Sequence, residues 1–73
     1  MLKPGIYQHY KGVNGGLYLL IGVAKHESTE EDLVVYQAQY GGKQLFVRPL
    51  DEFEERVEWL GEIVPRFKFV SEK

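Results

Sequence analysis

Short runs rich in hydrophobic residues follow one another along the chain, separated by glycines and polar loops, and some of them alternate with polar residues. Four such runs fill its first two thirds: residues 5–11, 17–26, 33–40 and 44–50. Each run is rich in β-branched or aromatic residues, a composition typical of β-strands. Gly22 interrupts the second run and predicts a bulge or bend there. The pattern therefore predicts four strands joined by short turns.

A change of period at Asp51 predicts a helix. Asp51 and Glu54 have the spacing of a capping box. The i, i+4, i+7 spacing then places three apolar residues on one helical face: Phe53, Val57 and Leu60. Gly61 suits the position just after the end of a helix. We expect a helix of about two turns between Asp51 and Leu60.

The last stretch of the chain returns to alternation. Residues 65–70 place Phe67 and Phe69 on one face and predict a fifth strand. Consecutive strands with short turns favour an antiparallel meander, and a chain of 73 residues must curl its sheet to bury a core. A short helix before the last strand is the order of an SH3-like barrel. We predict one domain over residues 1–73: a mostly β, five-stranded antiparallel SH3-like barrel with one short helix before the last strand.

The turn between the third and fourth strands decides which face Arg48 occupies. Gly41-Gly42 is a two-residue hairpin signal, and on that register Tyr36 lies opposite Val47. Phe46 and Arg48 then lie on the other, partly polar face of the hairpin. A slip of one residue would move Arg48 inward.

Composition excludes several classes of protein. The chain contains no cysteine, which excludes a disulfide scaffold and a thiolate metal site. Its longest apolar run, residues 17–24, is too short to span a bilayer, and no secretory signal pattern opens the sequence. We therefore expect a cytoplasmic protein without a membrane partner.

The charge pattern lowers the expectation of nucleic-acid binding. The net charge is −2, and residues 27–62 carry ten acidic residues against three basic ones. A nucleic-acid binder usually shows a basic stripe. Here the two chain ends together would supply only a modest basic face: Lys3, Lys11, Lys25, Arg66 and Lys68. Binding to nucleic acid is therefore an alternative and not the first expectation.

Short motifs in a fixed order run through nearly the whole chain. They are His9-Tyr10-Lys11-Gly12, Val23-Ala24-Lys25-His26, Val34-Val35-Tyr36-Gln37, Tyr40-Gly41, Phe46-Val47-Arg48-Pro49, Phe53 and Pro65-Arg66-Phe67. Together they resemble a small bacterial family, the domain of unknown function 1653 family. Residues 26–29 read His-Glu-Ser-Thr where that family commonly has His-Ser-Glu-Thr, and Phe46 replaces a frequent Trp. The resemblance implies a fold similar to SH3-type barrels and brings no known activity.

Catalytic and metal chemistry find little support in the sequence. Ser28 and Thr29 lie beside His26, but a nucleophile and base also need a third orienting group and an oxyanion hole. His9 and His26 with Glu27 would have to converge to supply even three zinc ligands. We expect His9 on the surface of an edge strand and His26 bonding its own loop. We predict no enzyme, metal or cofactor, and an enzyme centred on His26 is the weakest alternative.

Aromatic rings and one guanidinium are the better candidates for a binding surface. Five tyrosines exceed what a small core needs, although core filling alone also explains most rings. Four rings would form a peptide-binding surface if they met: Tyr10, Tyr36, Phe46 and Trp59. The planar fork of Arg48 suits a carboxylate or phosphate, or else an ion pair at the strand-to-helix corner with Glu27, Asp51 or Glu52. Arg66 has the same two alternatives.

The sequence therefore predicts a non-catalytic binding module for a peptide or protein. The predicted ligand-binding residues are Tyr10, His26, Tyr36, Phe46, Arg48 and Arg66. An uncovered strand edge would allow a homodimer in place of a monomer.

Overall fold

The computed structural model describes residues 2–12 and 16–72. These residues form seven strands and one short helix: β1 (Ile6–His9), β2 (Leu17–Lys25), β3 (Asp32–Ala38), β4 (Leu45–Pro49), α1 (Leu50–Phe53), β5 (Arg56–Trp59), β6 (Glu62–Pro65) and β7 (Phe67–Ser71). The mostly β architecture predicted from the sequence is confirmed. In the described part of the chain, no helix has the length and apolar character needed to cross a membrane.

Five strands form one antiparallel sheet in the order β4-β3-β2-β1-β7. Strands β5 and β6 form a separate hairpin. Within the described residues the two outer strands, β4 and β7, do not pair with each other, so the sheet is not closed into the predicted barrel. The outer strand β4 carries Leu45 and Val47 with 56% and 60% of their surface exposed.

The predicted bulge in β2 is confirmed. Leu20 pairs with Tyr36 and Gly22 pairs with Val35, which leaves Ile21 as the extra residue. A bulge of this kind increases the local twist and bends the strand. Strand β2 therefore curves the sheet and gives it a concave face.

The predicted register of the β3–β4 hairpin is wrong by one residue. Tyr36 pairs with Phe46, and Val34 pairs with Arg48. The connection is a longer loop over residues 39–43, closed where the Ala38 amide donates to the Gln44 carbonyl at 3.0 Å. Val34 and Tyr36 are buried, so their partners Phe46 and Arg48 also point to the concave face. Burial of this face decided the register, against the local Gly-Gly turn signal.

The predicted two-turn helix is one turn long. It begins after Pro49, which forms no side-chain cap, and it ends at Phe53. Residues 56–65 form the β5–β6 hairpin instead of a second helical turn. Val57 pairs with Val64 there, and cross-strand pairs of β-branched residues stabilise a sheet.

A two-residue turn replaces the predicted end of the helix. Trp59 pairs with Glu62, which leaves Leu60 and Gly61 as the loop. Their φ angles are 52° and 84°, the left-handed values of a type I′ turn. Leu60 is 84% exposed and does not pack inward as the helical spacing implied.

The core fills the concave face of the sheet. The ring of Phe53 stacks on that of Phe67, with centroids 4.2 Å apart and planes 5° apart. The buried hydrophobic residues are Tyr7, Leu20, Val34, Tyr36, Ala38, Phe53 and Phe67. The single turn of α1 thus places the Phe53 ring over the sheet, and Phe53 packs inward as predicted. Phe67 of β7 also faces inward, as predicted.

Candidate functional site

The concave face stays open beside the core, in a cleft of about 220 Å³ that we call the Arg48 cleft. Its lining side chains are His9, Tyr18, Tyr36, Phe46, Arg48 and Phe67. Every strand of the five-stranded sheet contributes at least one of them. The cleft is therefore a row of inward-facing side chains across the whole sheet.

Arg48 is the cation of this cleft. Its guanidinium carbon lies 5.7 Å from the centre of the Phe67 ring, a cation–π distance. Its Nε donates to the Tyr36 hydroxyl at 3.4 Å, and its Nη1 lies 3.5 Å from Glu52 Oε1. Both contacts are long for hydrogen bonds, and a guanidinium has more N–H donors than these two contacts use. Arg48 can therefore offer its fork to an oxyanion entering the cleft.

Arg66 differs from Arg48 in how closely it is held. Its Nε donates to the Glu52 carbonyl at 3.1 Å, and its Nη2 donates to Glu55 Oε1 at 2.8 Å. Its backbone amide also donates to the Glu55 carbonyl. Arg66 thus ties the segment that follows α1 to the start of β7, and it does not line the Arg48 cleft.

His9 belongs to the site although the sequence suggested a surface residue of an edge strand. Strand β1 lies between β2 and β7, so His9 points into the concave face. Burial lowers the pKa of His9 below its ordinary 6.5, and the positive charges of Arg48, Arg66 and Lys11 lower it further. In the sequence, Tyr7 and His9 are two residues apart and therefore lie on the same face of β1. The pairing of β1 with β7, which brings that face into the cleft, cannot be predicted from the local sequence.

Tyr18 supplies a neutral hydroxyl to the same face. Its hydroxyl lies 2.8 Å from that of Tyr40. Burial, followed by this hydrogen bond, raises the pKa of Tyr18 to about 12. The group therefore stays protonated at neutral pH and can donate or accept one hydrogen bond.

The four rings named from the sequence meet as two pairs. Tyr36 and Phe46 lie 5.8 Å apart, and Tyr10 and Trp59 lie 5.3 Å apart in an edge-to-face contact. His9 connects the pairs, because its ring lies 4.7 Å from Tyr10 and 5.0 Å from Phe67, which in turn contacts Tyr36. A continuous row of ring contacts therefore links the two pairs through the buried rings of Phe67 and Tyr36.

A second opening also has His9 in its wall and has a volume of about 390 Å³. We call it the Trp59 groove. Its lining residues are Gln8, His9, Tyr10, Gly12, Trp59, Val64, Pro65 and Lys68. The groove and the Arg48 cleft share the imidazole of His9 as a common wall.

His26 lies outside both openings. It is exposed in the turn after β2, where its Nδ1 accepts hydrogen bonds from the backbone amides of Ser28 and Thr29 at 3.2 and 3.3 Å. Its own amide donates to the Glu31 carbonyl. These contacts close the loop, as the sequence suggested. Of the six predicted ligand-binding residues, Tyr36, Phe46 and Arg48 line the cleft and Tyr10 lines the groove.

The basic residues named from the sequence have different neighbours. Lys25 pairs with Asp32 at 2.8 Å, at the end of β2. Lys3 and Lys11 lie over the rings of Phe69 and Tyr10. Over residues 2–12 and 16–72, no group of three or more His, Asp or Glu side chains is placed to hold a metal ion.

Comparison with known proteins places the chain in a family. No curated protein shows a significant match. A crystal structure of a DUF1653 protein from Bordetella bronchiseptica is 36% identical, with a TM-score of 0.77, and the aligned region covers 94% of this chain and 87% of that one. Residues 5–69 match the family described as "Protein of unknown function (DUF1653)". The resemblance found in the sequence motifs is thereby confirmed, and the chain belongs to the DUF1653 family.

Proposed function

We propose that the domain is a non-catalytic binding module that recognises a peptide or protein through an acidic group held in the Arg48 cleft. The observation that carries this proposal is the setting of Arg48. Its guanidinium lines an aromatic cleft and, beside its contact with the Phe67 ring, makes two long polar contacts with described residues. A carboxylate can accept two parallel hydrogen bonds from such a fork, which is stronger than a contact with a neutral group.

The size of the cleft favours a side chain as the bound group. Sites for drug-sized ligands usually measure about 300–1,000 Å³, and the Arg48 cleft is smaller, at about 220 Å³. Its walls are rings, which fit the apolar stem of an acidic side chain while Arg48 meets the charge. A glutamate side chain or a chain-terminal carboxylate matches both features.

The fold supports this assignment by analogy. Strand β7 pairs beside β1, and one helical turn precedes the last strands. We interpret this arrangement as an open variant of an SH3-like barrel. Such barrels can bind peptides through exposed aromatic rings, although a shared fold does not by itself imply a shared function.

The test is a titration of the ¹⁵N-labelled domain with a blocked pentapeptide, acetyl-AAEAA-amide, followed by NMR. We expect shifts of the amide signals of Phe46 and Arg48, and much weaker shifts with the neutral acetyl-AAQAA-amide. Arg48→Gln should abolish the difference between the peptides, and Arg48→Lys should retain only part of it, because lysine keeps the charge but loses the fork. Equal binding of both peptides by the wild type would refute the proposal.

A further inference from the structure

We propose that the Trp59 groove is a second subsite for the same ligand, so that the domain binds an extended acidic peptide with a proline two residues from its acidic residue. The inference rests on the proposed function of the Arg48 cleft. It adds a second position of the ligand, the spacing between the two positions, and the kind of side chain that fills the groove.

Geometry is the first argument. The two openings share His9 as a lining residue. Its ring lies 5.0 Å from that of Phe67 in the cleft and 4.7 Å from that of Tyr10 in the groove. In an extended peptide, side chains two residues apart point the same way and are separated by about 7 Å. One peptide crossing His9 can therefore place one side chain in each opening.

The lining of the groove selects the second side chain. Trp59 is 38% exposed and meets Tyr10 edge to face, with Val64 and Pro65 completing the apolar walls. Aromatic-lined grooves bind proline well because its ring fixes φ, so that little backbone entropy is lost on binding. The groove, at about 390 Å³, is large enough for a proline ring and its neighbouring backbone.

Charge complementarity is the second argument. Lys68 lines the groove, and Lys11 Nζ lies 5.8 Å from the centre of the Tyr10 ring. The acidic residues near Leu50 border a different opening: Glu31, Asp32, Asp51 and Glu54. The lysines beside the groove therefore attract an acidic peptide, whereas the opening lined by these carboxylates repels one.

The test compares three blocked pentapeptides on the wild-type domain: acetyl-PAEAA-amide, acetyl-AAEAP-amide and acetyl-AAEAA-amide. Because Trp59 is the only tryptophan, its fluorescence and its indole NMR signal report on the groove directly. We expect one of the two proline peptides, according to the direction of binding, to bind at least about tenfold tighter than the alanine peptide and to shift the indole signal.

Variants then assign the gain to the groove. Trp59→Ala should remove the preference for proline and leave the weaker, Arg48-dependent binding of acetyl-AAEAA-amide. Trp59→Leu keeps an apolar side chain in the hairpin and replaces the alanine variant if that variant unfolds. It should also lose the preference for the proline peptide. The peptide comparison on the wild type decides the question in either case.

The outcomes separate the two proposals. If all three peptides shift Arg48 equally and none shifts the indole signal, the Trp59 subsite is refuted while the proposed function stands. If no peptide shifts Arg48, the proposed function is refuted as well. Binding of a decathymidine oligonucleotide that quenches Trp59 at low salt and is lost at raised salt would instead establish the nucleic-acid alternative and overturn the peptide subsite.

Discussion

Glu52 Oε1 lies 3.5 Å from Arg48 Nη1, across the junction between β4 and α1. Glu52 is therefore a carboxylate of the chain itself that already contacts the Arg48 guanidinium. The side chain of Arg48 is 29% exposed and that of Glu52 is 53% exposed, so the pair is partly screened by water. An acidic ligand competes with this internal carboxylate for the positive charge of Arg48.

Replacing Glu52 by glutamine should strengthen binding of acetyl-AAEAA-amide by about 1.4- to 5-fold, because an exposed pair of this kind contributes only about 0.2–1 kcal/mol. The free energy of unfolding should fall by no more than about 1 kcal/mol for the same reason. The measurement is the dissociation constant from the NMR titration.

Glu55→Gln is the matched control, since Glu55 pairs with Arg66 and not with Arg48. It should leave peptide affinity unchanged. An equal gain in both variants would indicate a general effect of lowering the negative charge, and not relief of competition at Arg48.

The lowered pKa of His9 predicts that the domain loses stability in mild acid. The unfolded chain binds a proton at His9 near pH 6.5, whereas the folded domain resists it because of burial and the charges of Arg48, Arg66 and Lys11. Stability is therefore fully present above pH 6.5 and falls as the pH drops from there towards the folded pKa. Urea unfolding between pH 7.5 and pH 5 measures this loss.

His9→Gln should remove that part of the pH dependence. In the wild type, NMR titration of the His9 ring should give a pKa below 6.5 without peptide and a higher value with acetyl-AAEAA-amide, because a carboxylate near the ring favours its protonated form. A free-state pKa at or above 6.5 would contradict the described burial of His9.

Phe53→Ala should cost about 3–5 kcal/mol of stability, the usual range for removing a buried aromatic side chain. Phe53 is 1% exposed and stacks on Phe67, so its loss would leave a cavity between α1 and the sheet. Urea unfolding gives the value. Leu60→Ala is the exposed control and should change stability by less than about 0.5 kcal/mol; similar losses in the two variants would place Phe53 outside the core.

Leu60→Asn should stabilise the domain by about 1 kcal/mol, because leucine at φ 52° carries the strain of the left-handed region and asparagine tolerates it. Asn-Gly is also the preferred pair for a type I′ turn. The midpoint of thermal unfolding should rise above those of the wild type and of Leu60→Ala. No rise would argue against the two-residue turn at Leu60 and Gly61.

The local pattern was sufficient for most of the strands and for the bulge at Gly22, because alternation and glycine position act over a few residues. It failed between residues 56 and 65, which form β5 and β6. There the spacing of Val57 and Leu60 fits both a helical face and a short hairpin. The chain forms the hairpin, with a two-residue turn at Leu60-Gly61.

The site depended on non-local pairing and was predicted only in part. Tyr36, Phe46 and Arg48 were named from the sequence, but the register that points Phe46 and Arg48 inward depends on which face the whole sheet buries. His9 was missed because its place in the cleft depends on β7, which pairs with β1 from the other end of the chain.

That pairing of β1 with β7 also governs when the domain can form during synthesis. Strand β1 is made first, yet one of its two neighbours in the sheet includes Ser71. The chain must therefore be synthesised through Ser71 before the sheet can be completed. Until then Tyr7 and His9 lack their partners Phe69 and Phe67, so the nascent chain exposes the same aromatic residues that later form the core and the binding surface.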